Sequence, residues 1–235
     1  MDSCLIKELQ KIADAKPHIE QCGVIEGGDI YILPNVHENP EEHFQLSPED
    51  VVGYGKKNII VWHTHTFYGL TQLSVQDVIA AKFWGKPILM VRAKSKEVDF
   101  YDPKKTLPYV GRSFRYAHRN CYTLVQDFYR QELDIVLRDY FPDHPHEFFS
   151  EAPSKFLRHV EQEGFRQVGT DVLRRGDFVL TTEKQGSEGW HCSVICKQSP
   201  MKLVLSQWVT RPSCVVPYRA IANRVHSVWR HKDAC

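Results

Sequence analysis

Apolar and polar positions follow two different periods in the first 105 residues. In "MDSCLIKELQKIADAK", Leu5, Leu9 and Ile12 recur at helical spacing, which predicts an amphipathic opening helix. The stretch "QCGVIEGGDIYILPNV" predicts two strands joined by a Gly-Gly turn. The stretches "NIIVWHTH", "PILMVRA" and "EVDFYD" predict three more strands, the first of them buried because it opens on a run of apolar residues.

Two further helices are predicted between these strands. "SPEDVVGYG" places Ser47 as an N-cap and Pro48 at the first helical position. "LSVQDVIAAKFWG" has helical spacing, opened by Ser74 and closed by Gly85. Strands that alternate with helices favour an α/β layer, so we expect a mixed sheet flanked by helices.

The remainder of the chain has a different pattern. "DPKKTLPYVG" mixes proline, lysine and glycine, and we place a domain boundary there, giving domains of 1–105 and 106–235. "NCYTLVQDFYRQEL" and "PSKFLRHVEQEGF" predict amphipathic helices. "DFVLTT", "WHCSVICK" and "KLVLSQW" predict successive strands of an antiparallel sheet, so the second domain is of the α+β class.

Composition excludes several classes of function. The 30 basic residues nearly cancel the 29 acidic ones, which gives no electrostatic footprint for nucleic acid or an anionic membrane. No run approaches the roughly 20 apolar residues of a transmembrane segment, and the first residues lack the pattern of a signal peptide. The seven scattered cysteines contain no CxxC pair, so we expect free thiols and synthesis in a reducing compartment.

The pair in "HTH" suggests a metal site. Residues i and i+2 of a strand face the same side, so His63 and His65 can share an ion, and Asp77 lies one turn into the next predicted helix. Two imidazoles and a carboxylate leave a fourth position for water, as in catalytic zinc sites. Glu20 is a candidate general base. The alternative is a strand that carries two half-exposed histidines without a metal.

The wider pattern resembles the JAB/MPN (JAMM) metallopeptidases. His-x-His, eight residues and Ser-x-x-Asp match that family's signature, and "KPHIEQCGVIEGG" resembles its segment with the catalytic glutamate. The resemblance covers residues 1–105. It implies a Zn²⁺ ion with three protein ligands, a general base and an oxyanion donor: His63, His65 and Asp77 as ligands, Glu20 as base, and Ser74 as donor. Thr66 stands where many members have proline, which leaves the shape of that loop open.

A second candidate site lies in the other domain. Cys121 opens a predicted helix, where the helix dipole favours the thiolate, and His191 lies on a predicted strand. "LPYVGRSFRYAHRNCYTLV", "LRRGDFVL" and "GWHCSVIC" resemble, in this order, the NlpC/P60 cysteine peptidases, which have a papain-like fold with helices packed on an antiparallel sheet. The resemblance implies Cys121 as nucleophile, His191 as its base and Tyr109 as an oxyanion donor. The alternative is that His191 is a satisfied core histidine.

Two positions of the second domain depart from the family pattern. Asn120 stands where the family usually has aspartate before the cysteine. The third member of the site, which orients the imidazole, is either Ser206 or Gln207. We prefer Gln207, because an amide oxygen accepts from the imidazole N–H more persistently than a rotating hydroxyl.

The order of the two domains and the ending "HSVWRHK" resemble the tail-tip assembly proteins of lambda-like siphophages. The resemblance implies a virion tail-tip component, made in the host cytoplasm, with other tail-tip proteins as partners. It also implies the peptide stem of peptidoglycan as the substrate of the cysteine domain, and a protein or the same wall peptide as that of the zinc domain. One alternative is a structural protein whose hydrolase folds are docking surfaces with masked or idle sites. The zinc domain alone also suggests a cellular isopeptidase acting on ubiquitin-like proteins.

Overall fold

A computed structural model describes residues 2–140, 159–182, 190–198 and 200–234. The chain divides into two compact units, Met1–Lys105 and Thr106–Cys235. Each unit contains one sheet and few helices, so the protein is of the mixed α and β class. No helix in the described part of the chain is both long enough and apolar enough to cross a bilayer.

The first unit is a five-stranded sheet of order β2-β1-β3-β4-β5 with three helices. Strands β3 and β4 are parallel, and all other neighbours are antiparallel. The elements, in chain order, are α1 Ser3–Ala15, β1 Cys22–Glu26, β2 Asp29–Leu33, α2 Pro48–Gly55, β3 Ile59–His65, α3 Val75–Trp84, β4 Ile88–Arg92 and β5 Val98–Tyr101. All eight had been predicted from the sequence.

Local sequence explains how this sheet is organised. A tight turn at Gly27 and Gly28, both with positive φ, joins β1 to β2. The parallel pair β3 and β4 needs a crossover, which α3 supplies. Gly23 on β1 allows a close approach, because a Cβ there would lie 2.9 Å from the indole nitrogen of Trp62 and clash with a backbone carbonyl of β2. Helix α1 buries its apolar face, centred on Leu9, against one side of the sheet.

The second unit is a six-stranded antiparallel sheet of order β10-β9-β8-β7-β11-β6. Helix α4 packs on strand β8 at one face, and a separate apolar cluster covers the other face. The elements are α4 Cys121–Glu132, β6 Phe165–Val168, β7 Phe178–Thr182, β8 Trp190–Lys197, β9 Leu203–Ser206, β10 Cys214–Pro217 and β11 Val225–His231. Buried Asp177, just before β7, accepts two hydrogen bonds from Arg230 of β11, at 2.7 and 2.9 Å.

The sequence did not predict β6, β10 or β11. These strands are four to seven residues long and contain arginine, histidine or proline, so their apolar periodicity is weak. The predicted helix at 153–165 lies mostly outside the described residues. Residues 159–162 are helical, and the prediction was wrong at its end, where Phe165 begins β6.

Candidate functional sites

His63, His65 and Asp77 form a buried cluster in the first unit, with one ligand atom of each within 4.8 Å of the others. Strand β3 carries both imidazoles on one face, and α3 brings Asp77 back to them from its first turn. Asp77 Oδ2 lies 3.5 Å from Nε2 of His63 and 3.6 Å from Nε2 of His65. Two ligands of a tetrahedral zinc ion lie about 3.3 Å apart. The spacing therefore fits a metal ion, and the cluster could hold one.

The histidine rings are arranged as metal ligands require. Nδ1 of His65 donates to the carbonyl of Leu70 at 2.9 Å, which fixes the tautomer that leaves Nε2 free as a lone-pair donor. His63 is fully buried and stacks on Phe44, with ring centroids 4.4 Å apart. Neither of its nitrogens has a hydrogen-bond partner among the described residues. Burial lowers the pKa of His63 and keeps it neutral, as metal ligation requires.

Ser74 fixes the third ligand through a capping box. The Ser74 hydroxyl and backbone N–H both donate to Asp77 Oδ2 at 2.7 Å, and the Asp77 N–H donates back to the Ser74 oxygen at 3.1 Å. The loop before this cap is held in turn by Asp99 on β5, whose buried carboxylate accepts from the Leu73 N–H. Sequence analysis did not single out Asp99, which lies 22 residues beyond Asp77.

Glu20 reaches the same cluster from the segment before β1. Its Oε1 lies 3.9 Å from Nε2 of His65, and only 5% of the residue is exposed. Burial raises the pKa of Glu20 to about 8, although the charge of His65 opposes the shift. A bound cation would lower that pKa again, because an opposite charge favours the carboxylate. The structure thus brings together all five predicted residues of this site.

Cys121 is the first residue of α4 in the second unit and is 2% exposed. Asn120 caps this helix: its side-chain oxygen accepts from the Thr123 N–H at 2.9 Å, and the Thr123 hydroxyl accepts from the Asn120 N–H. An aspartate could accept the same bond, so the departure at Asn120 preserves the cap. The Nδ2 group of Asn120 also donates to the carbonyl of Tyr116 at 2.6 Å, which an aspartate could not do.

The thiol of Cys121 has two partners on β8. A hydrogen bond from the Cys192 thiol, and then the hydrogen bond and charge of His191, hold the pKa of Cys121 well below its usual range against the effect of burial. The pKa of Cys192 is raised correspondingly, because it is buried and faces the Cys121 sulfur. A thiolate is the reactive form of cysteine, so Cys121 has the electrostatic surroundings of a nucleophile. Sequence analysis did not single out Cys192.

Two hydroxyls contact Nε2 of the His191 ring. Ser206 Oγ lies 2.6 Å from Nε2 of His191, and Ser193 Oγ lies 3.2 Å from it. The two hydroxyls are 2.8 Å apart. Both hydroxyls therefore engage Nε2 of His191. Ser193 is two residues from His191 on β8 and faces the same side, a period-two signal that the sequence analysis did not use.

Our preference for Gln207 as the orienting residue was wrong. Ser206 on β9 is the register partner of Ser193 on β8, so both hydroxyls lie on the sheet face that carries the His191 side chain. Gln207 is the next residue, beyond the end of β9. Its amide nitrogen donates to the carbonyl of Arg112 at 3.2 Å, and its oxygen has no partner among the described residues.

The structure also contradicts the prediction for Tyr109. Its hydroxyl donates to Glu132, the last residue of α4, at 3.2 Å. Cys121 is the first residue of that helix, about 16 Å away at 1.5 Å per residue. Arg112 holds the segment that carries Tyr109 against α4, because its guanidinium donates to Asp127 of that helix and to two carbonyls of residues 107–108. Tyr109 is therefore not an oxyanion donor to Cys121.

Comparison with known proteins finds a similarity along most of the chain. The chain is 27% identical over 221 residues to "Tail tip assembly protein K" of Escherichia phage N15, and the alignment covers 91% of this chain and 88% of that protein. No protein-family model matches the chain.

Proposed function

We propose that the protein is a phage tail-tip assembly component with two hydrolase modules, a zinc-dependent peptidase or isopeptidase and a cysteine peptidase. The similarity to a tail tip assembly protein over nine tenths of the chain supports the role in tail assembly, the location in the virion tail and other tail proteins as partners. The resemblance of residues 1–105 to JAB/MPN metallopeptidases, and of residues 106–235 to NlpC/P60 peptidases, supports the two folds and activities.

In the first unit, His63, His65 and Asp77 would hold the zinc ion. Zinc would supply Lewis acidity that activates water and polarises the scissile carbonyl. Glu20 takes the proton of the attacking water and delivers it to the leaving amine. To donate to the developing oxyanion, the half-buried Ser74 hydroxyl turns its one proton away from Asp77 Oδ2, which keeps the bond from the Ser74 N–H. The substrate of this unit is a protein or a wall peptide.

In the second unit, the Cys121 thiolate attacks the scissile carbonyl while His191 is protonated. The imidazolium gives its proton to the leaving amine, and a thioester of Cys121 remains. Neutral His191 then takes a proton from water, which attacks the thioester and releases the acid and the thiol. Ser206 and Ser193 orient the imidazole throughout. The proposed substrate is the peptide stem of peptidoglycan, cleaved between D-glutamyl and diaminopimelyl residues.

The observation that carries this proposal is the imidazole of His191, which two hydroxyls hold at Nε2 and which helps to lower the pKa of Cys121. The test is incubation of the purified chain with stem peptides, followed by mass spectrometry. We expect cleavage by the wild type and none by Cys121→Ala. The control Cys196→Ala, a change at a half-buried cysteine on β8, the strand of His191, should also cleave. Equal cleavage by Cys121→Ala would exclude the thiol mechanism.

A structural tail-tip protein with masked sites is a second candidate function. Burial favours it, since Cys121 is 2%, Glu20 5% and His191 8% exposed. In this case, particles that carry Glu20→Gln and Cys121→Ala together assemble and infect as well as the wild type. A fall in infectivity with normal assembly would instead support the hydrolase function.

A further inference from the structure

Strand β2 (Asp29–Leu33) is an outer edge of the five-stranded sheet, with β1 on one side and no described strand on the other. The edge of a sheet presents a row of unpaired backbone N–H and C=O groups, which can pair with a strand of another chain. Many proteins protect such an edge with a lysine, a proline or a bulge. Strand β2 contains none of these, since its sequence is DIYIL and it pairs with β1 without a register shift.

The two-residue turn before β2 determines which of its backbone groups point outward. The residues that close this turn, Glu26 and Asp29, exchange backbone hydrogen bonds across the hairpin. Hydrogen-bonded positions alternate along an antiparallel pair, so Tyr31 also bonds to β1, and its carbonyl lies against that strand. The N–H and C=O groups of Ile30 and Ile32 therefore point away from the sheet.

The side chains of this edge are apolar and lie partly in water. Tyr31 is 43% exposed and Ile32 is 59% exposed, on opposite faces of the sheet. Ile30, on the same face as Ile32, packs at the border of the apolar cluster under α1. The edge thus offers a partner strand both open hydrogen-bonding groups and apolar area on its two faces.

We propose that β2 pairs antiparallel with β2 of a second copy of this chain, about a two-fold axis at Tyr31. The strand is self-complementary in this register, because Ile30 lies opposite Ile32 of the second copy and each such pair exchanges two backbone hydrogen bonds. The two Tyr31 rings lie opposite each other at the axis and form a favourable cross-strand aromatic pair. Asp29, the only charged residue of β2, lies opposite Leu33 of the second copy, so no like charges meet.

The position of the axis follows from the same pattern. An axis at Ile30 or Ile32 would leave part of each strand unpaired and would place Tyr31 opposite Asp29 or Leu33 instead of a second tyrosine. The pairing of two short edges covers less surface than the roughly 1,200 Å² of a stable interface. The dimer is therefore reversible and forms as the protein concentration rises.

The first test measures the molar mass of the full chain by analytical ultracentrifugation over a series of rising concentrations. We expect the wild type and Tyr31→Phe to shift from monomer to dimer. Tyr31→Lys places two like charges opposite each other at the axis, so this variant stays monomeric over the same series. Val52→Lys, a similar change at an 80% exposed residue of α2, still dimerises. Thermal unfolding of each variant verifies that it is folded.

The second test reads the position of the axis by cross-linking. Tyr31→Cys places two thiols opposite each other in a non-hydrogen-bonded pair, where the Cα atoms are about 4.5 Å apart and a disulfide fits. Under oxidised glutathione we expect a covalent dimer of this variant on a non-reducing gel. The wild type, which has an exposed thiol at Cys4, and Val52→Cys are the controls and stay monomeric on the gel.

Four results would overturn the proposal. The first is a wild type that stays monomeric at every concentration, and the second is a dimer that persists in folded Tyr31→Lys. The third is a Tyr31→Cys variant that cross-links no more than Val52→Cys, which would exclude an axis at Tyr31. The fourth is a Val52→Lys variant that loses the dimer as completely as Tyr31→Lys, which would place the interface elsewhere.

Discussion

The hydroxyl oxygen of Ser206 lies 2.6 Å from Nε2 of His191, the imidazole whose hydrogen bond and charge help to lower the pKa of Cys121. In the ion-pair form Nε2–H donates to this oxygen, and Ser193 completes the triangle at 2.8 Å from Ser206. Removal of Ser206 destabilises the imidazolium and therefore the paired thiolate.

The first prediction follows from this contact. Ser206→Ala raises the pH at which Cys121 becomes reactive by about one unit, since a hydrogen bond to a charged group contributes about 1.5–3 kcal/mol. The measurement is the pH profile of alkylation of Cys121 by iodoacetamide, read by peptide mass spectrometry. Gln207→Ala is the control. It removes a buried hydrogen bond to Arg112 and lowers the melting temperature, but it does not shift the pH profile of Cys121 alkylation. A shift in Gln207→Ala alone would restore Gln207 as the orienting residue.

A second prediction concerns the thiol partner of Cys121. The Cys192 S–H donates to the Cys121 sulfur and lowers the pKa of Cys121. Cys192→Ala therefore raises the pH midpoint of Cys121 alkylation by iodoacetamide, and alkylation is slower at every pH below that midpoint. Cys192→Ser keeps a donor and keeps the low midpoint. Cys196→Ala, on the same strand, is the matched control. An unchanged midpoint in Cys192→Ala would mean that His191 alone activates Cys121.

The third prediction separates a metal ligand from a core histidine. His63→Leu abolishes zinc binding, measured by elemental analysis after dialysis. In the presence of a chelator it changes the free energy of unfolding of the first unit by less than about 1 kcal/mol, because removal of buried ring nitrogens without hydrogen-bond partners offsets loss of the contact with Asp77. His43→Ala, at an exposed histidine of the same unit, keeps the metal. A structural role for His63 predicts the opposite, a loss of stability with no change in metal content.

Glu20 gives the fourth prediction. Glu20→Gln keeps the zinc content but lowers the peptidase rate of the first unit by about 10²–10⁴-fold, the usual contribution of a general base. The rate is measured on isopeptide-linked and stem peptides in the Cys121→Ala background, so that the second unit does not contribute. Glu26→Gln is the control, since Glu26 pairs with Lys57 at the surface. Full activity in Glu20→Gln would remove Glu20 from the mechanism.

A fifth prediction concerns stability. Asp177→Ala leaves the guanidinium of Arg230 buried without its carboxylate and lowers the free energy of unfolding of the second unit by about 3–5 kcal/mol. Asp171→Ala, at an exposed position of the same segment, changes it little. Denaturant titration followed by hydrogen exchange within residues 106–235 assigns the loss to this unit. A change below 1 kcal/mol would contradict the role of the pair.

The two units differ in how much of them could be predicted from the sequence. In the first, the two histidines share one strand and Ser74 and Asp77 share one helix start, so local periodicity predicts most of the cluster. In the second, the partners of His191 come from strand register, because Ser206 faces Ser193 only once β8 and β9 are aligned. The sequence left Ser206 and Gln207 open, and the preference for an amide oxygen over a rotating hydroxyl chose Gln207, one residue too far.

The error at Tyr109 has another physical cause. The spacing of Tyr109 from Cys121 matched a family pattern, but Arg112 ties the intervening segment along α4 towards its far end. A salt bridge at 2.6 Å to Asp127, 15 residues away, determines where the chain runs. Contacts of this range are not visible as periodicity.

The capping box of α3 holds one of the three candidate metal ligands in place. The bonds from Ser74 that hold Asp77 in place are those that start the helix, so the carboxylate is positioned as soon as the polypeptide folds. On the proposed function, an ion would therefore meet a carboxylate that the helix start already holds, and this ligand would rearrange little on binding.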